Sequence, residues 1–201
     1  EGKDPLFVGV LKGCFVFMSD LMRHVTIPCS VDFMAVSSYK GTTSTGAVSI
    51  QKDLSQNIEG RHVVMVEDIL DSGVTLSYLQ NYLSARKPAS ITIATLMDKP
   101  SRRKAPVYAK YSCFEVPDAF VVGYGLDYNE LYRNLPYIIK LTVRGTIYKM
   151  SKDMKNDIER VFFTEEEIEA KVKELGEQIS KDFEGKDPLF VGVLKGCFVF
   201  M

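Results

Sequence analysis

Charge of one sign is what this 201-residue chain most plainly lacks: 25 basic side chains stand against 26 acidic ones, for a formal net charge of −1. Without a basic excess there is no electrostatic ground to expect DNA, RNA or a membrane surface as the main partner. A local run such as Arg102, Arg103 and Lys104 is expected to be a solvated loop. Cysteine is also sparse. Four are present, but Cys197 duplicates Cys14, so the distinct positions are Cys14, Cys29 and Cys113. With no CxxC pair and no histidine at ligand spacing, neither a disulfide framework nor a zinc site is expected, and a reducing, cytoplasmic setting is. Long apolar runs are missing too. The longest is interrupted at Lys12 and has no basic leader, so neither a signal peptide nor a bilayer span is expected. No GxxxxGK[ST] occurs, which makes a P-loop nucleotidase a poor competitor.

What is present is an ordinary globular composition, 46% hydrophobic, enough for one well-buried core and a single domain. PLFVGVL (Pro5 to Leu11) reads as a strand buried on both faces, followed by a helix over Cys14 to Val25. Further strands are expected at Ser30–Tyr39, Arg61–Ile69, Ser90–Asp98 and Asp118–Gly125, and a helix at Thr75–Arg86. The stretch KGTTSTGAVSIQKDL is rich in Gly, Ser and Thr, so its first half is expected to be a mobile loop. Thr164 to Phe183 carries the clearest helix, with a capping box from Thr164 to Glu167 and an apolar stripe of Ile168, Val172, Leu175 and Ile179. The polar stretch Lys149–Asp157 before it reads as a linker. Alternating strands and helices predict an α/β domain with a mostly parallel sheet. Ligands in such sheets sit beyond the carboxyl ends of the strands.

The stretch VVMVEDILDSGVTL (Val63 to Leu76) carries the chemistry. An apolar strand runs into Glu67 and Asp68, then Asp71, then a small-residue turn that starts a helix. Such a turn aims backbone N–H groups, the Ser72 and Thr75 hydroxyls and the helix dipole at one point, where a phosphate fits. Gly73 permits the close backbone approach. Three carboxylates beside a phosphate make sense when the ligand also brings hydroxyl groups, a divalent cation or a proton to be removed.

The motif resembles the phosphoribosyl diphosphate (PRPP) signature of type I phosphoribosyltransferases. VGVLKG, LMDKPSRR and VPDAFVVGYGLDYNELYRNLPYI narrow the resemblance to the bacterial hypoxanthine-guanine enzymes of that family. The resemblance implies an α/β fold with a mostly parallel central sheet flanked by helices and a small hood. It implies transfer of phosphoribose from PRPP to hypoxanthine or guanine, giving IMP or GMP and diphosphate, with Mg²⁺ as cofactor. By resemblance Asp71 is the general base or acid facing N7 of the purine, and Asp71, Ser72, Gly73, Val74 and Thr75 hold the 5′-phosphate. Glu67 and Asp68 hold the ribose hydroxyls directly or through Mg²⁺. Lys12 and Gly13 form a diphosphate loop, with a cis peptide between Leu11 and Lys12, and Arg133 meets the diphosphate. Lys99 reads the purine 6-oxo group, Phe120 stacks on the base, Val121 reads its edge, and Asp127 anchors a second Mg²⁺. Ser38 and Tyr39 begin a lid. A homodimer or homotetramer is the implied assembly.

One feature departs from the family. Residues 184–201 repeat residues 1–18 letter for letter, and the capped helix, which the family places at its amino terminus, follows the carboxy-terminal strand. The order reads as a circular permutation with an overlap: residues 1–139 supply core and hood, 140–157 a junction, 158–183 the family's amino-terminal segment, and 184–201 the duplicate. Pro5–Gly13 is expected to take the core position, because it leads straight into the helix Cys14–Val25. The other copy would then expose FVGVL, a hazard for strand or domain swapping. Rival expectations are a nucleotide-sensing regulator of the same fold and a catalytically impaired permutant.

Overall fold

The computed structural model describes residues 7–10, 13–38, 48–141, 158–186 and 188–194. Among the described residues, ten strands and three α-helices follow in chain order: β1 (Phe7–Val10), α1 (Phe15–His24), β2 (Ser30–Ser38), β3 (Val48–Lys52), β4 (His62–Leu70), α2 (Val74–Ser84), β5 (Ser90–Asp98), β6 (Tyr111–Glu115), β7 (Val121–Val122), β8 (Ile138–Leu141), β9 (Ile158–Phe163), α3 (Glu165–Asp182) and β10 (Pro188–Leu194). The main sheet runs β3-β2-β1-β10-β4-β5-β6, and β2 also pairs β10 while β1 also pairs β4. All pairings are parallel except that of β3 with β2. A second, antiparallel sheet, β7-β8-β9, stands apart from it.

Residues Val63 to Val66 show why the apolar run of β4 is continuous rather than alternating. Val64 and Val66 face one core with α1 and α3, while Val63 and Met65 face the other with α2. Both faces of the strand are covered by helices, so every residue of the run is buried. The carboxyl ends of β4 and β5, and the chain emerging from β1 at Gly13, lie on one edge of this sheet.

α3 begins as its sequence predicts. Thr164 Oγ accepts from Glu167 N and the Glu167 side chain accepts from Thr164 N. Its buried residues Ile168, Val172, Leu175 and Ile179 form one core with Phe17, Met18 and Leu21 of α1. The two helices approach so closely that a Cβ on Gly176 would stand 2.6 Å from His24 Cβ and 2.9 Å from its carbonyl carbon. Thr26 N donates to Ser180 Oγ at 2.9 Å, and His24 Nε2 lies 2.9 Å from Glu169 Oε1.

Several expectations change. The stretch Asp118–Gly125 is not a main-sheet strand. Only Val121–Val122 is extended, and it belongs to the small sheet. Gly123, Tyr124 and Gly125 all have positive φ and turn the chain away. The edge of the main sheet beside β5 goes instead to Tyr111–Glu115. The loop expected for the first half of KGTTSTGAVSIQKDL lies outside the described residues, and its second half, for which no loop was expected, holds the edge strand β3. Lys140 and Leu141, expected to open the junction, end β8, and Ile158–Phe163 pairs with it as β9. The rest of the junction, the linker up to Asp157 and the Leu11–Lys12 peptide lie outside the described residues. Among the described residues no helix is long and apolar enough to cross a membrane.

Gly176→Ala tests the helix contact. Helix propensity alone favours alanine by about 1 kcal/mol, but the added methyl meets His24 backbone. A net loss of about 1–2 kcal/mol in urea unfolding is expected.

Candidate active site

The site begins where β4 changes from apolar to acidic. Glu67 still pairs in register with Thr95 of β5, so its carboxylate is carried into the sheet edge by the same ladder that buries Val66. Its Oε2 is buried without a hydrogen-bond partner among the described residues. Burial, and secondarily the neighbouring Asp68, pushes the Glu67 carboxyl well above its ordinary range. Asp68 is pushed up to about 6, first by burial, with Asp127 adding to the rise. The backbone amides of Ile69 and Asp68 and the guanidinium of Arg133 pull the other way.

The Asp68 carboxylate lies directly against Gly13, leaving no room for a Cβ there, and the Gly13 carbonyl in turn closes on Gly125. Small residues at these two positions let the chain after β1 and the turn after β7 reach the same acidic point. Arg133 completes the cluster. Its Nη1 donates to the Gly125 carbonyl at 2.7 Å and its Nη2 pairs with Asp127 Oδ1 at 2.6 Å, while Nε is buried without a partner among the described residues. The thiol of Cys14 is raised by burial and then by Glu67 and Asp68, which places the start of α1 in the same field.

Past β4 the chain turns through Asp71 and Ser72 to Gly73, whose φ of 77° places it in the left-handed region. Gly73 caps α2 without any side-chain hydrogen bond, and the first turn holds no acidic residue. The first N–H groups of the helix have no intrahelical acceptors. The contact of Val74 N with Ser72 Oγ, at 3.5 Å, is too long to count for much. Donors and helix dipole thus face outward together, at a point beside Asp71.

The loop after β5 braces this turn from behind. Lys99 N donates to the Leu70 carbonyl, and Lys104 N and Ala105 N donate to the Ser72 carbonyl. Arg103 donates to the Leu70 and Asp71 carbonyls at 3.2 and 2.6 Å and pairs with Asp98. Arg102 bridges Asp71 (Nε to Oδ1, 2.7 Å) and Asp118 (Nη1, 2.9 and 3.1 Å). Arg102 and Lys104 are exposed, as a solvated run implies, while Arg103 is largely covered. Both guanidiniums nevertheless find carboxylate partners that only the folded loop brings near. Lys99 is buried, and its Nζ donates to the Ala119 carbonyl at 2.6 Å. Burial lowers its ammonium pKa, offset by Asp71 and Asp118. Next to Ala119, Phe120 is 46% exposed and meets Tyr128 edge-on at 5.5 Å, while Val121 is buried.

The residues expected to act together thus fall into one region in three groups: Gly13, Glu67, Asp68, Asp127 and Arg133; Asp71, Ser72, Gly73, Val74 and Thr75; and Lys99, Phe120 and Val121. Lys12 and Tyr39 lie outside the described residues, and Ser38 is placed only as the last residue of β2. The expected metal set Glu67, Asp68 and Asp127 is not a ready-made cage. Among the described residues no three acidic, His or Cys side chains converge to hold an ion, and Asp127 is engaged by Arg133. Hard oxygen donors are nonetheless at hand in Asp68 and the unpartnered Glu67 Oε2. Mg²⁺ is commonly held by one or two carboxylates plus the phosphates of its substrate, so the donor set fits an ion that arrives with a diphosphate.

Comparison with known proteins gives a consistent picture. Residues 1–129 match the family model of the phosphoribosyl transferase domain. The hypoxanthine-guanine phosphoribosyltransferase of Bacillus subtilis is 58% identical over 135 residues, covering 67% of this chain and 75% of the relative. That of Streptococcus pneumoniae is 53% identical over 138 residues, covering 68% and 77%. Among solved structures, a hypoxanthine phosphoribosyltransferase from Staphylococcus aureus superposes with a TM-score of 0.67 at 55% identity, covering 71% of this chain and 78% of the other. A hypoxanthine phosphoribosyltransferase from Trypanosoma cruzi superposes with a TM-score of 0.65 at 43% identity, covering 70% and 78%.

The raised Asp68 carboxyl makes a stability prediction. Its folded pKa of about 6 lies above the unfolded value near 3.9. The folded state therefore binds the extra proton between these values, and stability falls as pH rises from about 4 to about 6. Asp68→Asn cannot ionise. In metal-free buffer its stability relative to the parent should rise by roughly 1–3 kcal/mol across that window, read from urea midpoints at pH 4.5 and 7.5.

Proposed function

Because this chain belongs to the phosphoribosyl transferase family, we propose that its site transfers the 5-phosphoribosyl group of PRPP to N9 of hypoxanthine or guanine, yielding IMP or GMP and diphosphate. The observation that carries the reading is the uncapped start of α2 standing beside Asp71 and a few residues along the chain from the half-buried Glu67–Asp68 pair. Phosphate, ribose hydroxyls and a departing proton are the three things that arrangement suits.

In this reading the amides of Gly73, Val74 and Thr75 and the hydroxyls of Ser72 and Thr75 take the 5′-phosphate. Donors fixed in place before the ligand arrives lose little freedom on binding, so their dipoles act at full strength. Glu67 and Asp68 accept hydrogen bonds from the ribose hydroxyls. Their raised pKa values mean that both favour a neutral or cation-bearing surrounding; Glu67 and Asp68 would hold a Mg²⁺ brought by PRPP, which would supply that charge, and Asp127 would anchor a second ion. Arg133 and the Lys12-Gly13 loop take the diphosphate side. Lys99 and the chain around Phe120 and Val121 take the purine, with Lys99 turned from the Ala119 carbonyl toward the 6-oxo group.

The reaction displaces diphosphate at C1′ by the N9 lone pair, and a proton leaves N7 as the N9–C1′ bond forms. Asp71 is the acceptor of that proton. In the ligand-free site its carboxylate is held by Arg102, so the purine must share or displace that guanidinium. Read as a permuted order, the chain is compatible with this function: α3 shares a core with α1 and β10 pairs β4.

The test is diphosphate release with PRPP, Mg²⁺ and, in turn, hypoxanthine, guanine, xanthine and adenine. Turnover with hypoxanthine or guanine but not adenine is expected. PRPP binding without turnover on any 6-oxopurine favours a sensing regulator and defeats the enzymatic reading. Asp71→Asn should lower kcat about 10²–10⁴-fold with PRPP affinity changed only a few-fold. Equal losses in both would remove Asp71 from the proton-transfer role.

A further inference from the structure

β1 and β10 are registered on each other residue for residue (Phe7 with Phe190, Val8 with Val191, Val10 with Val193) and claim the same neighbours in the sheet, although the strand order writes them side by side. Val8 and Val191 both stand opposite Met65, and Gly9 and Gly192 both opposite Val66. Val10 and Val193 both stand opposite Met34 of β2. Neighbouring strands lie about 4.8 Å apart, so a strand one place further out is about 10 Å away and shares no ladder bonds. Two strands that each bond β2 on one side and β4 on the other, in one register, therefore describe a single position. They also belong to segments that are identical in sequence.

We propose that this position is a two-state element, filled in turn by the amino-terminal and the carboxy-terminal copy of PLFVGVL from the same chain, with the other copy outside the sheet. The two copies are tethered on opposite sides of the position. β1 leaves it through Gly13 into α1, and β10 enters it from α3. α1 and α3 are packed on each other through Gly176 and His24, Thr26 and Ser180, and one shared core. That packing does not depend on which copy is seated, so both stay at high effective concentration beside the gap either would leave. Because the competing segments have the same sequence and the same register, their ladder energies cancel to first order. Only the tethers distinguish the states, and a small difference leaves both populated.

Exchange between two chains does not remove the surplus, since a pair of chains brings four copies to two positions. The occupancy does not rest on the function proposed above.

The experiment uses the full chain with Gly9→Pro, Gly192→Pro and both together. Proline removes an N–H that a central strand needs. Each single variant should melt cooperatively within about 5 °C of the parent at every protein concentration, with the amides of Met65 and Val66 still protected from hydrogen exchange. The double variant should melt at least roughly 10 °C lower and lose that protection. A single variant as damaged as the double would mean that one copy alone fills the position, overturning the proposal. A double variant no worse than the singles would mean that neither copy does, and the proposal would fall equally. Single variants whose melting point climbs with protein concentration would assign the strand to a second chain, again overturning it. None of these readouts needs turnover, so an inactive parent would defeat the enzymatic reading and leave this one intact.

Discussion

Val63 to Val66 are buried on both faces of the sheet, and within the next two residues the same strand carries two carboxylates into the edge of that dry region. The rest of the site follows from this abrupt change. A carboxylate leaving an apolar ladder is desolvated before it finds partners, and that burial is what raises the Glu67 and Asp68 pKa values. The fold offsets part of it with Arg133 and the Ile69 amide and leaves Glu67 Oε2 unpaired among the described residues. A protein keeps such a deficit where a ligand is to make it good.

Around this pair the architecture works by close approach. Gly13 and Gly125 bring two loops against Asp68 that any side chain would hold away. From the other side, the loop after β5 grips the carbonyls of Leu70, Asp71 and Ser72, so the turn into α2 is held by backbone hydrogen bonds and by Arg103 rather than by a capping side chain. Leaving the helix uncapped keeps its amides available, and bracing the turn from behind keeps them aimed. Two needs that usually conflict, an open anion site and a rigid one, are met by different parts of the chain.

The motif Val63–Leu76 was legible because its chemistry is local: a strand, acids, a small-residue turn and a helix occur in one unbroken stretch. The capping box of α3 was legible for the same reason. Asp118–Gly125 misled because its apolar run has the composition of a core strand, whereas Gly123 and Gly125 bend it into a separate sheet. Tyr111–Glu115 went unread, being short and alternating little, and it takes its place only because β5 offers a free edge. Arg102 and Arg103 look like any solvated basic pair until the loop folds onto Asp71, Asp98 and Asp118.

By itself the sequence determined the α/β alternation, the family motif, and the presence of two identical strand segments, since each is written in neighbouring residues or in a literal repeat. Tertiary structure decided where they meet. Glu67, Asp68, Asp127 and Arg133 converge because a parallel sheet brings the carboxyl ends of distant strands to one edge. The repeat turned from an oddity of spelling into a competition only when both copies registered against Met34, Met65 and Val66. A sheet position has two neighbours and room for one strand, and that limit exists in space rather than along the chain.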